Sequence, residues 1–161
     1  MQPREVEFNE EDNEYSPYPM TERAARWSKG NIDSSAEVVS VGVHCELNPD
    51  CNDRWDKLAV LLDEFVELST GERVSIRWDR GFTVSHSMDP RLSKRHLLEH
   101  IDMSLLPDEA DVEDRGESRP WCEYSRLLSG LGLHVDAEVL RVLPYSTEIE
   151  SALAARLRGS S

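Results

Sequence analysis

The chain is short of cysteine, of basic residues and of long apolar runs, and each shortage removes a class of protein. Its cysteines are three, Cys45, Cys51 and Cys122; they cannot all pair within one molecule and are too few for a disulfide-stapled secreted domain, so reduced thiols are expected. There is no C-x-x-C pair, and His44 and Cys45, adjacent on a strand, face opposite sides and do not converge on one zinc ion. No apolar run nears the roughly 18 residues that cross a bilayer, and the N-terminus has neither the basic start nor the apolar stretch of a signal peptide. A cytoplasmic protein without membrane attachment is expected. Eighteen basic residues against 32 acidic ones leave a formal net charge of −14, which opposes anionic membrane surfaces and nucleic acid. No internal repeat is visible.

What is present is acid in blocks. Residues 1–14 hold six carboxylates against Arg4, and residues 102–117 hold seven against Arg115. Between them the sign inverts: in 73–95, Arg73, Arg77, Arg80, Arg91, Lys94 and Arg95 outnumber Asp79 and Asp89. Such a bipolar field steers charged partners without naming a reaction.

A length of 161 residues fits one domain and a tail. Residues 1–36 lack a periodic apolar face yet carry Phe8, Tyr15, Tyr18 and Trp27, so this acidic tail is expected either to dock on the domain or to fold on a partner. Residues 37–159 form the domain. Val39, Val41, Val43, Cys45 and Leu47 alternate as a core strand; Trp55, Leu58, Ala59, Leu62, Phe65 and Val66 make the stripe of a helix opening at Asp50 or Asn52 and stopping at Gly71. Val74, Ile76 and Trp78, the turn chemistry of Asp79-Arg80-Gly81, then Phe82, Val84 and His86 read as a hairpin. Asp89-Pro90 opens a helix to about Leu105, and residues 106–120 form an acidic loop. A short helix from Trp121 ends at Gly130 and Gly132, a strand runs from Leu133 to Val142, and Thr147 with Glu150 caps a terminal helix. The order gives an α+β single domain: a four-stranded, mostly antiparallel sheet with helices on one face, ferredoxin-like (βαββαβ), with an extra C-terminal helix.

Few residues promise chemistry. His96-Leu97-Leu98-Glu99-His100 resembles the H-x-x-E-H zinc motif of inverzincin metalloproteases, but the resemblance covers five residues. On a helical wheel His96 and His100 stand well away from the stripe of Leu97, Leu98, Ile101 and Leu105, which sends them to solvent rather than to a shielded cleft. A downstream acid is also required, and nothing in the sequence singles out Glu148 or Glu150 for that place. Ser129-Gly130-Leu131-Gly132 follows a helix and precedes a strand, the reverse of a phosphate-binding loop. Arg73, Arg77 and Arg80 beside Trp78 suggest a nucleic-acid strip, but self-neutralisation against the acidic tail or loop accounts for them better.

The balance favours a non-enzymatic acidic protein-binding module, in the manner of inhibitors, immunity proteins or antitoxins, that covers a basic protein surface. Its candidate contact residues are Asp53, Asp56, Asp63, Glu64 and Glu67 on the first helix, and Asp108, Glu109, Asp111, Glu113 and Asp114 in the loop. No cofactor or metal is implied. Two other readings are an assembly subunit that packs its basic segment 73–95 on a neighbour's acidic face, and a zinc-dependent hydrolase through His96, Glu99 and His100.

Overall fold

The computed structural model describes residues 16–17, 23–27, 32–33, 35–49, 57–85 and 92–158. Along the chain come β1 (Ser16–Pro17), β2 (Val38–Leu47), β3 (Lys57–Leu68), β4 (Arg73–Ser85), β5 (Leu92–Ser93), α1 (Lys94–Ser104), a 3-10 turn (Val112–Asp114), α2 (Trp121–Gly130), α3 (Ala137–Val142), β6 (Tyr145–Ile149), α4 (Ser151–Ala154) and β7 (Leu157–Arg158). The main sheet has the order β1-β4-β3-β2-β6, antiparallel except for the parallel pair β2–β6. The fold is α+β, but β2, β3 and β4 are successive antiparallel neighbours in a meander, whereas a βαββαβ plan does not pair its first two strands this way.

The expected first helix is instead the central strand. Leu58 to Leu62 are five consecutive apolar residues, all buried, and a strand flanked on both edges and covered on both faces is where such a run belongs. A helix would have left Val60 and Leu61 off its stripe. The hairpin turns at Ser69 to Glu72, where Gly71 adopts φ of 93° and donates its N–H to the Leu68 carbonyl at 2.8 Å.

The hairpin read at Asp79-Arg80-Gly81 is likewise corrected: β4 runs straight through. Its register against β3 slips between Leu62 and Phe65, so the turn-forming residues are absorbed as bulges instead of reversing the chain. A bulge frees backbone carbonyls and re-aims side chains, and both consequences matter at the site below.

Helices cover one face. Val43, Cys45, Leu58, Val60, Leu62, Phe82 and Val84 meet α1 and the C-terminal Leu153 and Leu157, while Val41, Val66, Leu68 and Val74 meet α2 and α3 through Trp121, Tyr124, Leu128 and Leu140. An irregularity between Val38 and Ser40 turns Val39 outward from the alternation of β2. α1 starts at Ser93, whose Oγ accepts from the His96 N–H at 3.1 Å, rather than at Asp89-Pro90. α2 ends as the glycines suggest: Gly132, at φ of 88°, donates to Ser129 O at 3.0 Å and Leu133 donates to Leu128 O at 2.9 Å, the paired bonds of a left-handed C-cap.

The predicted strand 133–142 is an extended stretch followed by α3, in which Ala137 and Leu140 turn one side to the core. The predicted capping box is also absent, because Thr147 lies within β6, opposite Val43, and the terminal helix shrinks to the single turn of α4. Strand β6 finds the free edge of β2, and sheet pairing outweighs a local helix signal there.

The second face of the sheet receives the N-terminal segment 23–27. The Arg26 N–H donates to Asp63 Oδ2 at 2.8 Å, the Trp27 N–H donates to Ser75 Oγ at 3.0 Å, and the Ser75 N–H donates to the Trp27 carbonyl at 3.0 Å. Arg23 Nη1 donates to the carbonyls of Leu62 and Trp78, at 3.0 and 3.2 Å, beside the register slip. Trp27 packs on Phe65 with ring centroids 4.7 Å apart. Gly42 lets Phe65 lie this low: a Cβ there would stand 2.7 Å from the Phe65 ring and 2.6 Å from Ser146 Oγ.

Candidate acidic cleft

Of the ten expected contact residues, Asp53 and Asp56 lie outside the described residues, as do Cys51, Trp55, His86 and the acidic stretch 1–14. Asp63 and Glu64 are 0% and 1% exposed, so they are interior groups and not the partner surface proposed for them. Their strand, not a helix, decides this, by sending them to opposite faces of a sheet covered on both sides. Asp63 accepts from the Arg26 N–H and, at 2.6 Å, from Ser75 Oγ. Glu64 accepts from Arg77, at 3.2 Å for Nη2 and closer for Nε, and from the hydroxyl of Tyr124, so α2 is tied to the sheet through a buried charge. Burial alone would lower the Arg77 guanidinium, but the adjacent Glu64 carboxylate reverses this and raises it; burial and Glu64 together hold Tyr124 far above its ordinary range. Glu67 is half-buried, 3.4 Å from Ser40 Oγ.

The loop acids divide by task. Asp114, 2% exposed, accepts from the N–H groups of Cys122 at 2.8 Å and Glu123 at 3.3 Å, and so caps the start of α2 from outside the helix. Asp108 forms a two-pronged pair with Arg80, at 3.1 and 3.0 Å, and that hydrogen bond lowers its carboxyl from the usual range. Asp111 accepts from the Asp108 N–H at 3.0 Å. Glu109 and Glu113 are exposed.

Asp108, Asp111, Glu113 and Asp114 rim two clefts of about 520 and 510 Å³ that share Asp111 and Glu123. The first has an apolar floor of Ile76, half-buried Trp78 and Leu127; Trp78, expected in the core, is brought to this floor by the register slip in β4. Across both clefts Asp79, Asp108, Asp111, Glu113, Asp114 and Glu123 face Arg77, Arg80 and Arg126, two carboxylates for each guanidinium. Sequence reasoning found the loop acids but missed Trp78, Asp79 and Glu123, whose convergence depends on the bulge and on where α2 lands.

The basic strip is internally matched. Arg73 holds Glu148 at 2.8 and 2.6 Å, Arg77 holds Glu64, and Arg80 holds Asp108. His96 and His100 are half-buried rather than solvent-facing: Ser93 Oγ lies 3.0 Å from His96 Nδ1, and the His100 ring lies 5.6 Å from that of Phe82. Glu99 is exposed, Glu148 is bound to Arg73, and the Glu150 carboxylate accepts from the Leu47 N–H at 3.3 Å. Among the described residues no three of His, Cys, Asp and Glu converge as a metal site. Burial pushes the thiols of both Cys45 and Cys122 up, which disfavours the thiolate. Among the described residues no helix is long and apolar enough to cross a membrane. No protein-family model, curated protein or solved structure matches this chain.

Proposed function

We propose that the protein is a non-enzymatic binding module that receives a basic protein partner in the acidic double cleft between β4, the 106–120 loop and α2. The observation that carries this reading is the pairing of an apolar floor with a carboxylate rim. Trp78 and Leu127 offer a surface for the aliphatic stem or planar head of an arginine, and Asp79, Asp111 and Glu123, the last also paired with Arg126 at 3.0 Å, surround it with charge. Inhibitor-like or antitoxin-like masking of a cationic surface is the use such a site serves, with on-rate raised by the overall field. This reading stands ahead of self-assembly through segment 73–95 because Arg73, Arg77 and Arg80 already answer to carboxylates of their own chain.

The test is NMR titration with an arginine-rich peptide and a control of the same length with glutamine in place of arginine. Shifts confined to Trp78, Asp111, Glu123 and Leu127, reduced by added salt and absent in Asp111→Asn, Glu123→Gln, are expected. Shifts scattered over every surface acid, unaffected by those substitutions, would reject the cleft as the binding site.

A further inference from the structure

The least satisfied buried group lies on the opposite face, outside the acidic cleft. His44 is 8% exposed, and neither of its ring nitrogens has a hydrogen-bond partner among the described residues. Its Nε2 stands 3.6 Å from Glu46 Oε1 and its Nδ1 3.6 Å from Glu148 Oε1. Orphaned nitrogens at such burial are uncommon, and here each faces a carboxylate just beyond bonding distance. We propose that His44 is a pH-sensitive release for the N-terminal segment 23–27, which stays docked while His44 is neutral and lets go when it is protonated.

The sign follows from what the segment brings. Facing His44 are Glu46 of its own strand, Asp63 of β3, Arg73 of β4, Glu148 of β6, and Arg23, Arg26 and Trp27 of the segment. Without the segment, His44 sits among three carboxylates and one guanidinium, a cluster with an excess of negative charge. Docking adds two guanidiniums and an apolar ring, and no carboxylate. Arg26 takes Glu46 at 3.0 Å and Arg23 approaches it at 3.6 Å, which brings cations and carboxylates into balance with His44 neutral.

The Trp27 ring meets the imidazole edge-on at 5.8 Å and already carries the guanidiniums of Arg26 and Arg73, at 5.6 and 5.2 Å. A proton on His44 would then place a further cation in a covered, balanced cluster and compete with Arg23 and Arg26 for Glu46. A proton on His44 therefore works against docking. Histidine is the side chain whose charge changes in the physiological range, while Glu148, held below the usual carboxylate range by Arg73, stays ionised there.

Fluorine NMR of the full chain labelled with fluorotryptophan reads this directly, with the Trp27 signal assigned by its loss in Trp27→Phe. From about pH 8 to about pH 5.5, the span in which histidine titrates, the Trp27 signal should move toward its solvent-exposed position. The docked-to-released ratio should fall at least about fivefold, the lower end of ordinary coupling between sites. In His44→Gln the signal should stay at its docked position throughout. Arg26→Gln, which keeps the backbone bond to Asp63, removes one competing cation and should shrink the pH response even if His44→Gln does not fold. A Trp27 signal that ignores pH, that becomes more docked in acid, or that responds equally in Arg26→Gln would overturn the proposal.

Discussion

The acids of β3 and the acids of the 106–120 loop are the same kinds of side chain, and the fold puts them to opposite uses. On β3, Asp63 and Glu64 are sealed inside and each is fully engaged, one by Ser75 and the Arg26 N–H, the other by Arg77 and Tyr124. In the loop only Asp114 is buried, as the cap of α2, and the rest line open clefts or face solvent. Charge density along a sequence thus says little about charge on a surface. What decides is whether a carboxylate's neighbours in space can replace the water it gives up.

The comparison breaks first at Glu64. Glu64→Leu leaves the Arg77 guanidinium buried without its counter-charge and should destabilise the protein by about 3–5 kcal/mol in urea unfolding. Glu64→Leu with Arg77→Met should recover most of that loss, because the uncompensated charge is then gone. An equally large loss in the double variant would mean that Glu64 and Arg77 do not act as one unit.

Packing in the core and in the cleft gives the next effects. Phe82→Ala, in the wholly buried cluster beneath α1, should lose about 3–5 kcal/mol through the cavity it leaves. Trp78→Ala should lose much less, about 1 kcal/mol, because the ring already lines an open cleft. Thermal melts in which Trp78→Ala falls as far as Phe82→Ala would place that ring in the core and remove the floor of the proposed binding site. Asp114→Ala comes next: it uncovers two N–H groups at the start of α2 and should lose about 1 kcal/mol, the ordinary range for a helix cap.

These contrasts mark what was legible in the sequence. The alternation of β2, the stripe of α1, the glycine stop of α2 and the loop at 106–120 are local patterns, and local patterns survive into the fold. The strand β3 was not legible, because Leu58 to Leu62 with a stripe at Phe65 and Val66 satisfies a helical period, and only the sheet pairs on both sides settle the matter. The bulged β4 was misread for a related reason: Asp79-Arg80-Gly81 serves a bulge as readily as a turn. Once β3 and β4 changed, so did the site, since the strand's acids went inside and Trp78 and Asp79 came to the cleft. The loop half of the candidate site was readable because a segment rich in acid, proline and glycine has no apolar face with which to bury itself.

The smallest expected effect concerns Asp108, the loop acid that most resembles Glu64 in bonding and least resembles it in burial. Both accept two bonds from a guanidinium, but the Asp108 side chain is 53% exposed and that of Glu64 only 1%. Solvent screening should therefore hold the stability change in Asp108→Asn within about 0.5 kcal/mol. Its pH dependence has a fixed sign. The hydrogen bond from Arg80 lowers the folded-state pKa of Asp108, so its small contribution is complete above the ordinary carboxylate range near pH 4 and is lost as pH falls through the lower folded value. Urea midpoints of the native chain and Asp108→Asn should differ slightly at neutral pH in low salt, and the difference should vanish in acid and in molar salt. A difference that persists in high salt or exceeds about 1 kcal/mol would mean that the loop is anchored by Arg80 as β3 is anchored by Arg77, and the contrast between the two acidic regions would fail.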